Sequence, residues 1–88
     1  MKTIKTAKRL DISNAAEFEK ELEAALEDQE IVIDMSDTVY ISSVILRALL
    51  KIQKAVNKAN KSMVITNVGE VVMEVFDITG FSGIFTFE

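Results

Sequence analysis

With 88 residues, 49% of them hydrophobic and 27% charged, the chain has material for one globular core and is too apolar for a disordered segment. It contains no Cys and no His, which removes a disulfide framework, a thiol nucleophile and the commonest general base and metal ligand. A net charge of −4 runs against a nucleic-acid binder, which needs a basic surface to neutralise phosphates.

The charges are unevenly placed. Asp11 to Asp37 holds ten acidic residues and one lysine, whereas Arg47 to Lys61 holds five basic residues and no acidic one. No apolar run approaches the roughly 18 residues of a membrane span, and the N-terminus lacks the apolar centre of a signal peptide, so a cytoplasmic location is expected.

Met1 to Leu10 alternates weakly and is read as a single strand, whose lysines suit a sheet edge guarded against unwanted pairing. Asp11-Ile12-Ser13-Asn14 is a helix start signal, with Ser13 or Asn14 as N-cap and Glu17 placed to complete a capping box. The helix predicted from about Ala15 to Glu27 turns Phe18, Leu22 and Ala25 or Leu26 inward; its other face is acidic. Ile31 to Met35 is apolar apart from Asp34, the pattern of a strand covered on both faces. Asp34 and Asp37 at its end are read as turn-forming, solvated carboxylates rather than a metal site, since no third ligand type accompanies them.

The clearest periodic segment is a second helix from about Ser43 to Ala59. Ile45, Leu49, Ile52, Val56 and Ala59 make its buried stripe, and Arg47, Lys51, Lys54, Lys58 and Lys61 run along the opposite side. At 100° per residue Ser43 shares the line of Arg47, Leu50 and Lys54, so its hydroxyl is expected to face solvent. Leu46 and Leu50 flank the stripes, where partial exposure is expected. A hydroxyl at a helix start is either a simple N-cap or, at the positive end of the dipole, a seat for phosphate. The basic stripe is either a wet face or a binding surface.

Met63 to Val68 reads as another buried strand. A third helix follows Gly69 with Val72, Val75 and Phe76 inward, Gly80 stops it, and Ile84 to Phe87 is a short last strand. Strands alternating with helices imply an α/β domain built from right-handed βαβ units. The edge where strands end and helices begin gathers Asp11, Ser13, Asp34, Asp37, Ser42, Ser43, Asn67 and Gly69. No glycine-rich phosphate loop is present among the three glycines.

The order of a Leu10-Asp11 turn, a helix, Ile31-Val32-Ile33-Asp34-Met35 and Tyr40-Ile41-Ser42-Ser43 resembles the STAS domain of bacterial anti-sigma factor antagonists. Val75-Phe76-Asp77-Ile78-Thr79-Gly80-Phe81 followed by Ile84-Phe85 is similar to that family's closing signature. The resemblance spans about Leu10 to Glu88. It implies one STAS-like domain over residues 1–88: a mixed, mostly parallel four-stranded sheet, three main helices, and an N-terminal hairpin shortened to one strand. The missing edge strand is either absent or supplied by another copy, as in a homodimer through the N-terminal strand.

In function the resemblance implies a switch that binds an anti-sigma factor, usually a serine kinase, which phosphorylates the domain and so releases itself. The phosphoacceptor carries over to Ser43 and the Leu-Asp turn to Asp11. Asp11, Ser42, Ser43, Val44, Arg47 and Leu50 are the expected partner-binding residues, with no cofactor, metal, nucleic acid or membrane involved. The family's aspartate, serine, serine or threonine, glycine pattern is Ser42-Ser43-Val44-Ile45 here. Ser42 thus removes a charge, and Ile45 places a side chain where the family has bare backbone. Those departures suit the alternative, an unphosphorylated STAS adaptor or scaffold in a signalling or transport complex. An enzyme is not expected: Lys51 and Lys54 lie too far along the helix to serve Ser43 as a base.

Overall fold

The computed structural model describes all 88 residues, Met1–Glu88. In chain order they form β1 (Lys2–Lys5), β2 (Arg9–Leu10), α1 (Ala15–Ala25), β3 (Glu30–Asp34), β4 (Tyr40–Ile41), α2 (Ser43–Lys58), β5 (Ser62–Thr66), α3 (Glu70–Ile78), a 3-10 turn (Phe81–Gly83) and β6 (Thr86–Phe87). The main sheet has four strands in the order β1-β3-β5-β6, and β2 pairs separately with β4. Every pairing is parallel, so the expected mixture of directions is absent.

Right-handed crossovers that always step the same way across a parallel sheet return to the same face. The helices therefore form one layer, with α2 between α1 and α3, and the other face of the sheet is bare. Burial follows the pleat: Ile4, Ile31, Ile33, Met63 and Ile65 point into the helical layer and are almost wholly buried. Val32 and Val64 point the other way and are half-buried. The expectation that Ile31 to Met35 is covered on both faces is thus corrected. An Ile-Val-Ile run looks alike whether one face or two are packed.

Met1 to Leu10 is not one strand either. Thr6 N–H still donates to the Asp34 carbonyl, but Ala7 and Lys8 leave the ladder where Thr6 meets Thr38, their Oγ1 atoms 2.5 Å apart, and Thr38 Oγ1 donates to the Ala7 carbonyl at 2.7 Å. Both threonines are buried, so the paired hydroxyls satisfy each other out of water. The detour releases Arg9–Leu10 from the main sheet to run beside Tyr40–Ile41.

α2 keeps its apolar stripe and adds to it. Leu46, Ala48 and Gln53 are also buried, as the central helix of a layer requires, while Ala59 is exposed. The expected exposure of Leu46 is accordingly wrong. The helix ends in a Schellman arrangement: Asn60 adopts φ +57°, Lys61 N–H reaches the Val56 carbonyl (2.9 Å) and Asn60 N–H the Asn57 carbonyl (3.2 Å). Lys61 Nζ donates to the Leu26 carbonyl, which takes it off the basic stripe. α3 stops at Gly80, whose φ of +80° an L side chain would resist. Phe76 of α3 meets Phe85 and Phe87 edge-on, closing the core over β6.

Candidate protein-binding site at the start of α2

The β2–β4 ladder sets Arg9 beside Tyr40 and Leu10 beside Ile41. Leu10 and Ile41 anchor it in the core. Alternation then sends Arg9 and Tyr40 outward, where the guanidinium lies 4.3 Å from the ring centroid. One residue further on, Ser42 N–H donates to the Leu10 carbonyl at 3.0 Å. That bond ties the turn beginning at Asp11 to the first turn of α2.

Asp11 is half-buried, and its Oδ1 accepts from Ser13 N–H (3.0 Å) and Ser13 Oγ (2.5 Å). Arg9 Nε stands 3.6 Å from its other oxygen. The Ser13 hydroxyl, then the Ser13 backbone N–H, then Arg9 hold the Asp11 carboxyl below the ordinary aspartate value of 3.8. Asn14 is the residue before α1, but its side chain turns back: Nδ2 donates to the Arg9 carbonyl (2.8 Å) and Oδ1 accepts from Asp11 N–H (3.0 Å). It caps nothing, so the expected capping box with Glu17 does not form. Asn14 instead locks the Asp11 turn.

Ser42, not Ser43, is the N-cap residue of α2. Its carbonyl accepts from Ile45 and Leu46 N–H (3.1 and 3.3 Å), yet its Oγ makes no capping bond and lies buried without a partner. Ser43 is the first helical residue, and it is exposed, as the helical spacing requires. Arg47 is exposed one turn on, and Val44 and Leu50 are half-buried beside it. The Leu10–Ser42 bond thus brings Asp11 to the first turn of α2, where Ser42, Ser43 and Val44 stand, with Arg47 and Leu50 one and two turns further along the helix. Ser42 contributes backbone there rather than a free hydroxyl.

Four residues of that surface escape a sequence reading. Arg9 and Tyr40 meet only through a non-local register. Ile12 is 78% exposed beside Asp11, and Val39 and Tyr40 are 53% and 42% exposed on the approach to Ser42. Tyr40 gave a faint signal as the outward member of an alternating pair with Ile41. The remaining strand-end residues are internally engaged: Asp34 Oδ1 accepts from Asn67 Nδ2 (3.1 Å) and Ser36 N–H (3.0 Å), and Lys5 pairs with Asp37 (3.5 Å). The Asn67 amide, then Ser36, lower the Asp34 pKa.

A surface carrying an exposed hydroxyl, a cation-capped aromatic ring and unpaired apolar side chains suits a protein partner. No helix is long and apolar enough to cross a membrane.

Comparison with known proteins agrees with this architecture. The STAS domain family model matches residues 2–88. A protein named as an anti-sigma factor antagonist, BtrV of Bordetella bronchiseptica, is 35% identical over 75 residues, which cover 83% of this chain and 65% of that protein's length. Among solved structures, the Thermotoga maritima protein TM1081, described as an anti-sigma factor antagonist, superposes with a TM-score of 0.80 at 22% identity. That match covers 97% of this chain and 77% of the other. The anti-sigma factor antagonist SpoIIAA in its unphosphorylated form gives 0.82 at 13% identity, covering 98% and 77%. At such identities the structural likeness is one of fold. With the family model spanning nearly every residue, the chain belongs to the STAS domain family.

Proposed function

We propose that this domain is an anti-sigma factor antagonist acting in the cytoplasm. It binds an anti-sigma factor of the serine-kinase type through the start of α2, and phosphorylation of Ser43 switches that binding off. The observation that carries the reading is the placement of Ser43: exposed, at the first position of a 16-residue helix, on the surface shared with Asp11, Tyr40 and Arg47. A phosphate there adds roughly −1.5 to −2 charges. The helix dipole favours an anion at that end by about 0.3–1 kcal/mol, so the fold tolerates the group. A partner closing over the same spot must desolvate it, which is costly without a counter-charge. Modification therefore changes binding and spares folding. Incubation with a serine-kinase anti-sigma factor and ATP tests this: the mass rises by one phosphate, mapped to Ser43, and the product no longer co-elutes with the kinase.

The second reading, an unphosphorylated adaptor or scaffold, draws on the residues around Ser43. Ile45 is fully buried and fills space with a side chain, and the Ser42 hydroxyl points inward where the family has a carboxylate. An unchanged mass in the same incubation, with binding retained, selects that reading.

A further inference from the structure

We propose that the free edge of β1 is an interface between two copies of this chain, paired antiparallel about Ile4. β1 borders the main sheet, with β3 on one side only. Thr6 N–H donates to the Asp34 carbonyl at 2.9 Å, so Thr6, and by alternation Ile4 and Lys2, direct their backbone groups to β3. Thr3 and Lys5 direct theirs outward, where two donors and two acceptors stand without strand partners. Beside this edge a cleft of about 80 Å³ opens between β1 and α1. Ile4, Leu10 and Phe18 form its apolar floor, and Glu17 and Glu21 its exposed rim.

A twofold axis through Ile4, perpendicular to the sheet, fits both features. Thr3 then faces the second copy's Lys5 as a hydrogen-bonded pair, using all the outward groups, and Ile4 meets its own copy as a non-hydrogen-bonded pair. The two Ile4 side chains lie on the helix side, at the clefts. Lys2 falls opposite the second copy's Thr6, against the rim where Glu17 and Glu21 stand. Neither glutamate has an ion-pair partner within its own chain. No lysine faces a lysine in this register, whereas centring the axis on Lys5 would set two of them directly opposed. The lysines that discourage edge pairing in general therefore leave this one arrangement open. The product is a closed, isologous dimer with a continuous eight-stranded sheet.

Sedimentation from micromolar to millimolar concentration tests the proposal on the intact chain. The 9.8 kDa monomer is expected to give way to a species of twice that mass. Thr3→Pro removes an outward N–H without touching the β3 ladder, and Lys2→Glu places like charges at the rim; both are expected to stay monomeric with an unchanged circular dichroism spectrum. Combining Lys2→Glu with Glu17→Lys and Glu21→Lys should restore the dimer. A wild-type chain that remains monomeric at millimolar concentration overturns the proposal, as does a dimer that Thr3→Pro leaves intact. Neither result bears on phosphorylation of Ser43, which is read separately by mass.

Discussion

Leu10 and Ser42, 32 positions apart in the chain, are joined by one backbone hydrogen bond of 3.0 Å from the Ser42 N–H to the Leu10 carbonyl. That bond makes a single surface of two separate motifs, the Leu-Asp turn and the serine pair. The side chains on either side of it divide the labour. Leu10 and Ile41 hold the junction in the core, while Tyr40 and Ser43 are exposed and Asp11 is half-buried beside them.

Ser42 is an N-cap without a cap. Replacing a serine N-cap by alanine ordinarily costs about 0.5–2 kcal/mol. Here the Oγ is buried and unpartnered, so its removal relieves an unmet desolvation cost. Ser42→Ala is expected to leave the thermal midpoint unchanged or raise it. A loss of the usual size, measured by urea or heat, would mean that the hydroxyl does cap α2.

The sheet is packed on one side, and substitutions should report it. Ile33 is fully buried beneath the helical layer, so Ile33→Ala is expected to cost about 2–5 kcal/mol. Val64, on the neighbouring strand but half-buried on the bare face, should accept Thr at a cost under about 1 kcal/mol. Equal costs in urea unfolding would show that the outer face is covered as well.

Asn67 sits between β5 and α3 at φ +58°, and its amide donates to Asp34. A left-handed conformation costs most L residues about 1–2 kcal/mol. Asn67→Ala is expected to lose that much together with the hydrogen bond. Asn67→Gly should lose less, because it keeps the backbone freedom. Reversed order in thermal melts would place the value of Asn67 in its side chain alone.

Asp11 and Asp34 give a pH dependence with a defined sign. Both carboxyls are held below the unfolded value of 3.8 by hydrogen bonds, from Ser13 and from Asn67 respectively. The folded state thus binds fewer protons than the unfolded chain between the two values. Their contribution is fully present above the unfolded value and is lost as pH falls through 3.8 toward the lower folded values. Stability should decline across that acid window, and Asp11→Asn should flatten part of the slope while leaving stability near neutrality without a pH trend of its own.

Much of this was legible from local pattern. α2 announced itself through a stripe repeated at helical spacing over 16 residues, and the same spacing placed Ser43 outward. Gly80 marked the end of α3 because few residues accept φ +80°. What stayed hidden depended on partners distant in sequence. The break after Thr6 comes where its hydroxyl pairs with that of Thr38, 32 positions away. The Arg9–Tyr40 stack exists because two-residue strands happen to register, and such strands are too short to show a period. Asn14 matches a capping signal yet spends its amide on Arg9 and Asp11, a competition local propensity does not record. The one-sided sheet follows from strand order, which no single strand encodes.

The proposed switch requires Ser43 to govern association and not folding, and Ser43→Asp measures both at once. Its thermal midpoint should match that of the wild type or rise, in keeping with a helix-start anion worth about 0.3–1 kcal/mol. Titrated by calorimetry against a serine-kinase anti-sigma factor that binds the wild type, the variant should show no binding. An unfolded variant, or one that binds with wild-type affinity, would contradict the assignment.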